Sequence, residues 1–128
     1  MLNAILVFVG GGLGALGRWG LSGLLARIGG AAWPWGTFGV NILGSLLMGL
    51  LAGWLMHGGG LGGESARVRL FLATGVLGGF TTFSAFSLET ARMLEAGHWA
   101  QGLLYAGLSV VLCVLAVLLG MALTRLSV

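Results

Sequence analysis

The hydrophobic positions of this chain fall into long continuous runs rather than the alternation of strands or the one-sided stripe of a surface helix. A membrane-spanning helix needs roughly 20 mostly apolar residues, and four such runs are present. The first covers about Leu2 to Leu25 and contains Arg18, and the second covers about Gly36 to Met56. Trp33-Pro34-Trp35 introduces the second run: proline suits a helix start, and tryptophan suits the headgroup interface. The third covers about Arg69 to Leu94, with an interruption expected near its middle, and the fourth about Trp99 to Leu123, ending at Arg125. His57-Gly-Gly-Gly-Leu-Gly-Gly-Glu64 predicts a flexible polar turn between two hairpins. Almost nothing remains for an extramembrane domain. Residues 1–128 are therefore expected to form a single four-helix transmembrane unit of the all-α class.

Composition fixes the solvent. With 58% hydrophobic residues, 7% charged and a mean hydropathy of +1.06, the chain carries more apolar surface than a soluble domain of its size can hide. The net charge of +3 comes from six arginines against three glutamates. No cluster of basic residues exists to follow a phosphate backbone, so nucleic acid is excluded as a partner. The single cysteine, Cys113, lies in an apolar run, can form no intramolecular disulfide and reads as a small buried hydrophobe. Met1-Leu-Asn leads directly into apolar sequence without a positive n-region, so the first run is expected to be retained rather than cleaved.

Three small-xxx-small pairs, Gly10/Gly14, Gly49/Gly53 and Gly75/Gly79, have the spacing that lets helix backbones approach closely in lipid. Four helices enclose little space, so a pore points to an oligomer. Orientation signals are nearly balanced. Arg67, Arg69 and Arg125 fall on the side of the N-terminus, Arg27 and Arg92 on the other, and Arg18 toward the second side. The positive-inside rule has little to act on, so the chain is able to insert both ways and pair with an inverted copy of itself.

The richest segment is Gly78-Gly-Phe-Thr-Thr-Phe-Ser-Ala-Phe-Ser87, which places two glycines and four hydroxyls at membrane depth. Such groups are tolerated where they are buried in protein or face water. Gly78 and Gly79 weaken the helix there and would free carbonyl oxygens able to hold a cation. Phe83, Phe86, Ser87 and Thr90 share one helical face. The rings either pack against lipid and neighbours or, with Thr81, Thr82 and Ser84 nearby, present positive ring edges and hydroxyl donors to a small anion. Two further stripes accompany them: Asn41, Ser45, Met48 and Gly49 on the second run, and Tyr105, Ser109 and Cys113 on the fourth. Together the three are able to line one continuous path. Arg18 either snorkels to the interface or supplies an electropositive vestibule or a clamp for helix ends. Glu89 and Arg92 are spaced to touch. The first, second and fourth runs hold no carboxylate, which weighs against proton-coupled cation transport, and no ATPase or coupling motif is present.

Three stretches carry a resemblance. Gly10-Gly-Gly-Leu-Gly-Ala-Leu-Gly-Arg18, Gly36-Thr-Phe-Gly-Val-Asn41-Ile-Leu-Gly-Ser45 and Gly75-Val-Leu-Gly-Gly-Phe-Thr-Thr-Phe-Ser-Ala-Phe-Ser-Leu-Glu89 resemble the signature stretches of the Fluc fluoride channels, also called CrcB. The third is the most specific. The resemblance implies a non-enzymatic, fluoride-selective passive channel of the inner cell membrane that exports cytoplasmic fluoride. It further implies an antiparallel dual-topology homodimer with a broken third helix, two pores at its interface and a structural sodium ion (Na+) on the two-fold axis. By motif position Phe83 and Phe86 match the pore phenylalanines and Asn41 the asparagine beside them. Thr82, Ser84 and Ser109 match pore hydroxyls, Glu89 the acid near the pore's end, and Arg18 the first-span arginine. Gly78 and Thr81 match the residues whose backbone carbonyls hold sodium. Cys113 stands where a hydroxyl or amide is common, and Phe80 where leucine is frequent. The competing classes are a small dual-topology multidrug transporter, which needs a carboxylate deep in the first helix where this chain has Arg18, and a structural assembly factor, which leaves the Thr-Thr-Phe-Ser run without a purpose.

Overall fold

The computed structural model describes residues 1–56 and 63–126, with the side chains of residues 63–65 left aside. Among the described residues the only regular structure is helical. Helix α1 is Leu2–Gly29, α2 is Trp35–Met56 and α3 is Gly63–Arg69. The chain then winds as a π-helix over Leu70–Leu77, returns to α-helix in α4 (Gly78–Phe80), and continues as α5 (Phe83–Glu95) and α6 (Trp99–Arg125). Four helical stretches are long and apolar enough to cross a membrane: Leu2–Gly29, Trp35–Met56, Ala66–Glu95 and Trp99–Arg125. These are the four expected spans with longer ends. Of the expected turn at His57–Glu64, residues 57–62 lie outside the described residues.

Both described turns contain a glycine in the left-handed region. Helix α1 runs past Leu25 because nothing stops it before Gly30, whose φ of 78° turns the chain; Arg27 in its last turn complements the helix dipole. At the α5–α6 turn Gly97 has φ 80°. Its N–H donates to the Leu94 carbonyl at 3.0 Å and the His98 N–H to the Met93 carbonyl at 2.9 Å. That pair of bonds is a Schellman cap, which satisfies carbonyls the helix end leaves open.

The three glycine pairs lie at the helix crossings. A Cβ placed on Gly10 would sit 2.6 Å from the Phe71 carbonyl oxygen and 3.0 Å from the Gly75 Cα, and one on Gly14 would collide with the Val76 carbonyl. One on Gly79 would meet the Gly11 Cα at 3.0 Å. On the other side of the fold Gly49 faces Val117, Gly53 faces Thr124 and Met121, and a Cβ on Gly120 would reach the Leu46 carbonyl at 2.5 Å. Residue numbers rise together across each crossing, so α1 runs parallel to the π-helical stretch and α2 parallel to α6. Successive spans therefore alternate in direction. Lipid removes the hydrophobic drive for helix association, and backbone-to-backbone packing of this kind replaces it. Side-chain packing is correspondingly thin: Val40, Leu77 and Tyr105 are the buried hydrophobic side chains among the described residues.

Candidate functional site

The third span supplies the irregular backbone. Gly78, expected to weaken the helix, is itself helical (φ −64°, ψ −38°). The departure comes after it, at Thr81 (φ −80°, ψ 155°) and Thr82 (φ −148°, ψ 109°). Both are β-branched and accept extended dihedrals readily. Each then works locally. The Thr81 hydroxyl donates back to the Leu77 carbonyl at 2.9 Å, as does its N–H at 3.0 Å. The Thr82 hydroxyl accepts from the Ala85 N–H at 3.2 Å and caps α5.

Asn41 of α2 closes on this dipeptide. Its Nδ2 donates to the Thr82 carbonyl at 3.0 Å and its Oδ1 accepts from the Thr82 N–H at 2.8 Å. One primary amide thus pairs both backbone groups of an extended residue, as a neighbouring strand would. Thr82 is only 9% exposed, and at that depth an unpaired backbone group is costly. A second consequence falls on the carbonyls. In an uninterrupted helix the Thr82 N–H would serve the Gly78 carbonyl and the Ala85 N–H the Thr81 carbonyl. Both donors are engaged elsewhere, by Asn41 and by the Thr82 hydroxyl respectively.

Beside the dipeptide opens a cavity of about 400 Å³. Asn41, Ser45 and Met48 line it from α2, Thr81, Thr82, Phe83 and Phe86 from the third span, and Ser109 and Cys113 from α6. Part of each expected stripe therefore meets here, whereas Gly49, Ser87, Thr90 and Tyr105 do not line the cavity. The rings of Phe83 and Phe86 lie 5.3 Å apart at 47°, and Phe86 lies 5.4 Å from the buried ring of Tyr105. Ser109 is 7% exposed, and its Oγ, closed off from solvent, makes no short hydrogen bond but lies beside the Tyr105 hydroxyl. Ser87, Thr90 and Thr124, by contrast, each donate to a carbonyl of their own helix.

Glu89 stands apart from the cavity and is gripped at both oxygens. The Thr37 hydroxyl donates to Oε1 and the Tyr105 hydroxyl to Oε2, each at 2.7 Å. The expected contact with Arg92 gives way to these two bonds; among the described residues no ion pair joins Glu89 to a cation. Trp33 packs edge-on against Tyr105 at 5.4 Å and Phe38 at 5.8 Å behind the carboxylate. Glu89, Trp33, Arg92, His98 and Gln101 line a second groove of about 420 Å³ toward the helix ends. Ser84 is exposed, with its hydroxyl 3.3 Å from that of Thr82, and does not line the cavity. Arg18, half-buried on α1, does not line it either. Phe80 does not line it; its ring lies between Gly17 and Gly44, the second of which belongs to the cavity wall. Sequence reasoning missed Thr37, although it sits one turn before Asn41 and extends the Asn41/Ser45 stripe at the same spacing.

Four apolar spans, three of which wall a largely apolar cavity that also holds the hydroxyl and amide residues named above, define a multi-pass membrane protein. The chain belongs to the CrcB family: the family model described as "CrcB-like protein, Camphor Resistance (CrcB)" matches residues 5–121. It is 54% identical over 125 residues to the "Fluoride-specific ion channel FluC" of Hyphomonas neptunium, covering 98% of this chain and 97% of that one. Over 127 residues it is 51% identical to the protein of the same name from Novosphingobium aromaticivorans, covering 98% of each. "Fluoride-specific ion channel FluC 2" of Nitrobacter hamburgensis is 50% identical over 124 residues, covering 97% of this chain and 98% of that one. These relatives are named as ion channels, and this chain is accordingly no enzyme.

Proposed function

We propose that the chain is a fluoride-selective passive channel of the inner cell membrane, built as one domain that pairs with an inverted copy of itself. The observation that carries the reading is the cavity, where Ser109 and the rings of Phe83 and Phe86 line one space with no fixed charge on its walls. Fluoride is small and strongly hydrated, so its water must be replaced by donors, yet weakly enough that the ion leaves again. Hydroxyl donors and positive ring edges meet that need without the trap a lysine or arginine would create. Thr82 and Ser84 supply further hydroxyls, Glu89 marks the end of the path, and Arg18 serves the vestibule or a helix clamp. Fluoride that enters as neutral HF dissociates in the cytoplasm and leaves as the anion, driven by the negative-inside potential.

The dimer rests on the near-even arginine distribution and on the exposure of the proposed pore. Phe83 is 76% exposed in the single chain and the cavity is open at its side; a second copy would cover both and give two pores at the interface. A structural sodium ion fits the same arrangement. The carbonyls of Gly78 and Thr81 have lost their helical donors to Asn41 and Thr82, and two inverted copies would bring four neutral oxygens to one monovalent ion. Gly78 tests this. A Cβ there meets nothing closer than the Ala73 carbonyl oxygen at 3.5 Å, so Gly78→Val should leave the single chain folded while excluding the partner and the ion. Crosslinking should show loss of dimer with helix content unchanged, and a dimer still binding sodium would refute the site.

Efflux from proteoliposomes tests the function. A fluoride electrode should record release when a potassium ionophore clamps the potential, and chloride should not follow. Phe83→Ile and Phe86→Ile keep apolar bulk and remove the ring edge, so each should cut flux at least tenfold with little change in dimer stability. Phe80→Leu, outside the cavity, should conduct like the parent. Flux unaltered in both ring variants would remove the assigned ion path.

A further inference from the structure

The groove beyond Glu89 holds a guanidinium that the fold leaves unspent. Arg92 is exposed and lines this groove together with Glu89, His98 and Gln101, and among the described residues its side chain makes no ion pair or hydrogen bond. Its neighbours are engaged elsewhere: Glu89, one turn back on the same helix, is held by Thr37 and Tyr105, and Gln101 donates its amide to the Ala32 carbonyl. We propose that Arg92 is the anion-collecting residue of the pore mouth, where its free charge offsets the Glu89 carboxylate and concentrates fluoride at the end of the path. What the anion does next rests on the channel reading; its collection in the groove does not.

A chain of contacts joins the groove to the cavity. Phe86 lines the cavity, its ring lies 5.4 Å from that of Tyr105, the Tyr105 hydroxyl donates to Glu89, and Glu89 lines the groove. An anion using this path must pass a carboxylate, and repulsion there would deplete it from the mouth. Direct pairing of Glu89 with Arg92 would cancel the two charges and spend the cation. Two neutral hydroxyls hold the carboxylate instead, so the guanidinium stays available to an ion in transit. Its position suits release as well as capture. A fixed cation inside the cavity would hold fluoride too tightly, whereas in an open groove solvent and salt weaken the attraction and the ion moves on. The low-dielectric walls of the groove still focus the field enough to raise the local anion concentration. Arg27, at the same end of the molecule and equally exposed, does not line the groove and carries no such role.

Two readouts on the dimer, at one fixed pH, test the proposal. The first needs no conduction. With Trp19, Trp35, Trp54 and Trp99 replaced by phenylalanine, the half-buried Trp33 in the groove wall reports the local anion through quenching by iodide. Arg92→Gln should lower iodide quenching at least twofold at low salt, with quenching by neutral acrylamide unchanged. The second readout is fluoride efflux from proteoliposomes, at concentrations where the rate is proportional to fluoride and with ionic strength set by gluconate salts. Inverted pairing puts one such mouth on each membrane face, so random insertion does not blur the result. At an ionic strength of about 0.01 M, where charges act over about 30 Å, Arg92→Gln should slow efflux roughly threefold to tenfold. At about 1 M, where that reach falls to about 3 Å, variant and parent should agree within about twofold. Arg92→Lys and Arg27→Gln should both keep the parental rate. Equal loss at both ionic strengths, no loss at either, the same loss in Arg92→Lys or in Arg27→Gln, or iodide quenching unmoved by Arg92→Gln would overturn the proposal. A parent that never conducts fluoride, yet loses iodide quenching in Arg92→Gln, would keep the collecting role and sink the channel reading instead.

Discussion

Asn41→Ala is expected to lower the stability of the folded chain by roughly 2–4 kcal/mol, from about 1–3 kcal/mol for each buried backbone group left unpaired, and to reduce fluoride flux at least a hundredfold. The two bonds from its amide to the Thr82 N–H and carbonyl are the link between α2 and the extended dipeptide. Alanine removes both. Water entering from the cavity recovers part of the loss, which places the estimate below the full sum of two orphaned groups. The Thr82 N–H, once released, can return to the Gly78 carbonyl and re-form helix through Thr81 and Thr82, which would rotate Phe83 and Phe86 away from Ser109. This differs from a lining role, because a residue that only touched the ion would change flux without changing stability. Asn41→Asp separates the two roles. It keeps an acceptor for the Thr82 N–H, loses the donor to the carbonyl and puts a negative charge in the cavity, so its flux should be abolished with a smaller loss of stability. Thermal unfolding in detergent beside proteoliposome efflux measures both quantities. Asn41→Ala with parent-like stability would show that the amide is not what holds the dipeptide.

The spans were legible because lipid imposes a coarse rule, about 20 apolar residues per crossing, and helix ends moved only where no residue opposed extension, as from Leu25 to Gly29. Glycine spacing was legible too: all three pairs lie where backbones meet, since only a missing Cβ permits that approach. The backbone of the third span was not. Glycine marks a helix as weak, but where the chain leaves the helix depends on what accepts its freed groups. Here the acceptors and donors are Asn41, forty-one residues from Thr82, and the Thr82 hydroxyl itself. The π-helical stretch Leu70–Leu77 had no sequence mark at all; Leu-Phe-Leu-Ala-Thr-Gly-Val-Leu reads as ordinary helix. Glu89 shows the same limit from another side. Its nearest opposite charge in sequence, Arg92, was the obvious partner, yet at the end of an apolar bundle two hydroxyls hold the carboxylate without a second long charged side chain having to be ordered. Sequence spacing reveals which residues share a face, and the partner across the helix pair comes only from packing.

Adding two or three lysines to the turn at residues 58–63 should drive nearly all copies into one orientation and remove nearly all fluoride flux. The sequence assigns three arginines to the N-terminal side and two to the other, with Arg18 toward the second, so the natural bias is close to zero and a few charges in a short loop outweigh it. The effect would be large because it acts on assembly. A population inserted in one direction contains no inverted partner, and the open side of the cavity, with Phe83 exposed, would face lipid. Folding of each chain should be untouched, since the loop carries none of the helix crossings described above. Co-expression with a copy biased the opposite way, by lysines placed at the Ala96-Gly97-His98 turn, should restore flux to near the parental level, whereas two copies biased alike should not. Cysteine accessibility from each side of the membrane reports orientation and efflux reports function. Full flux from a uniformly oriented population would exclude inverted pairing and require the pore to be closed by some other contact.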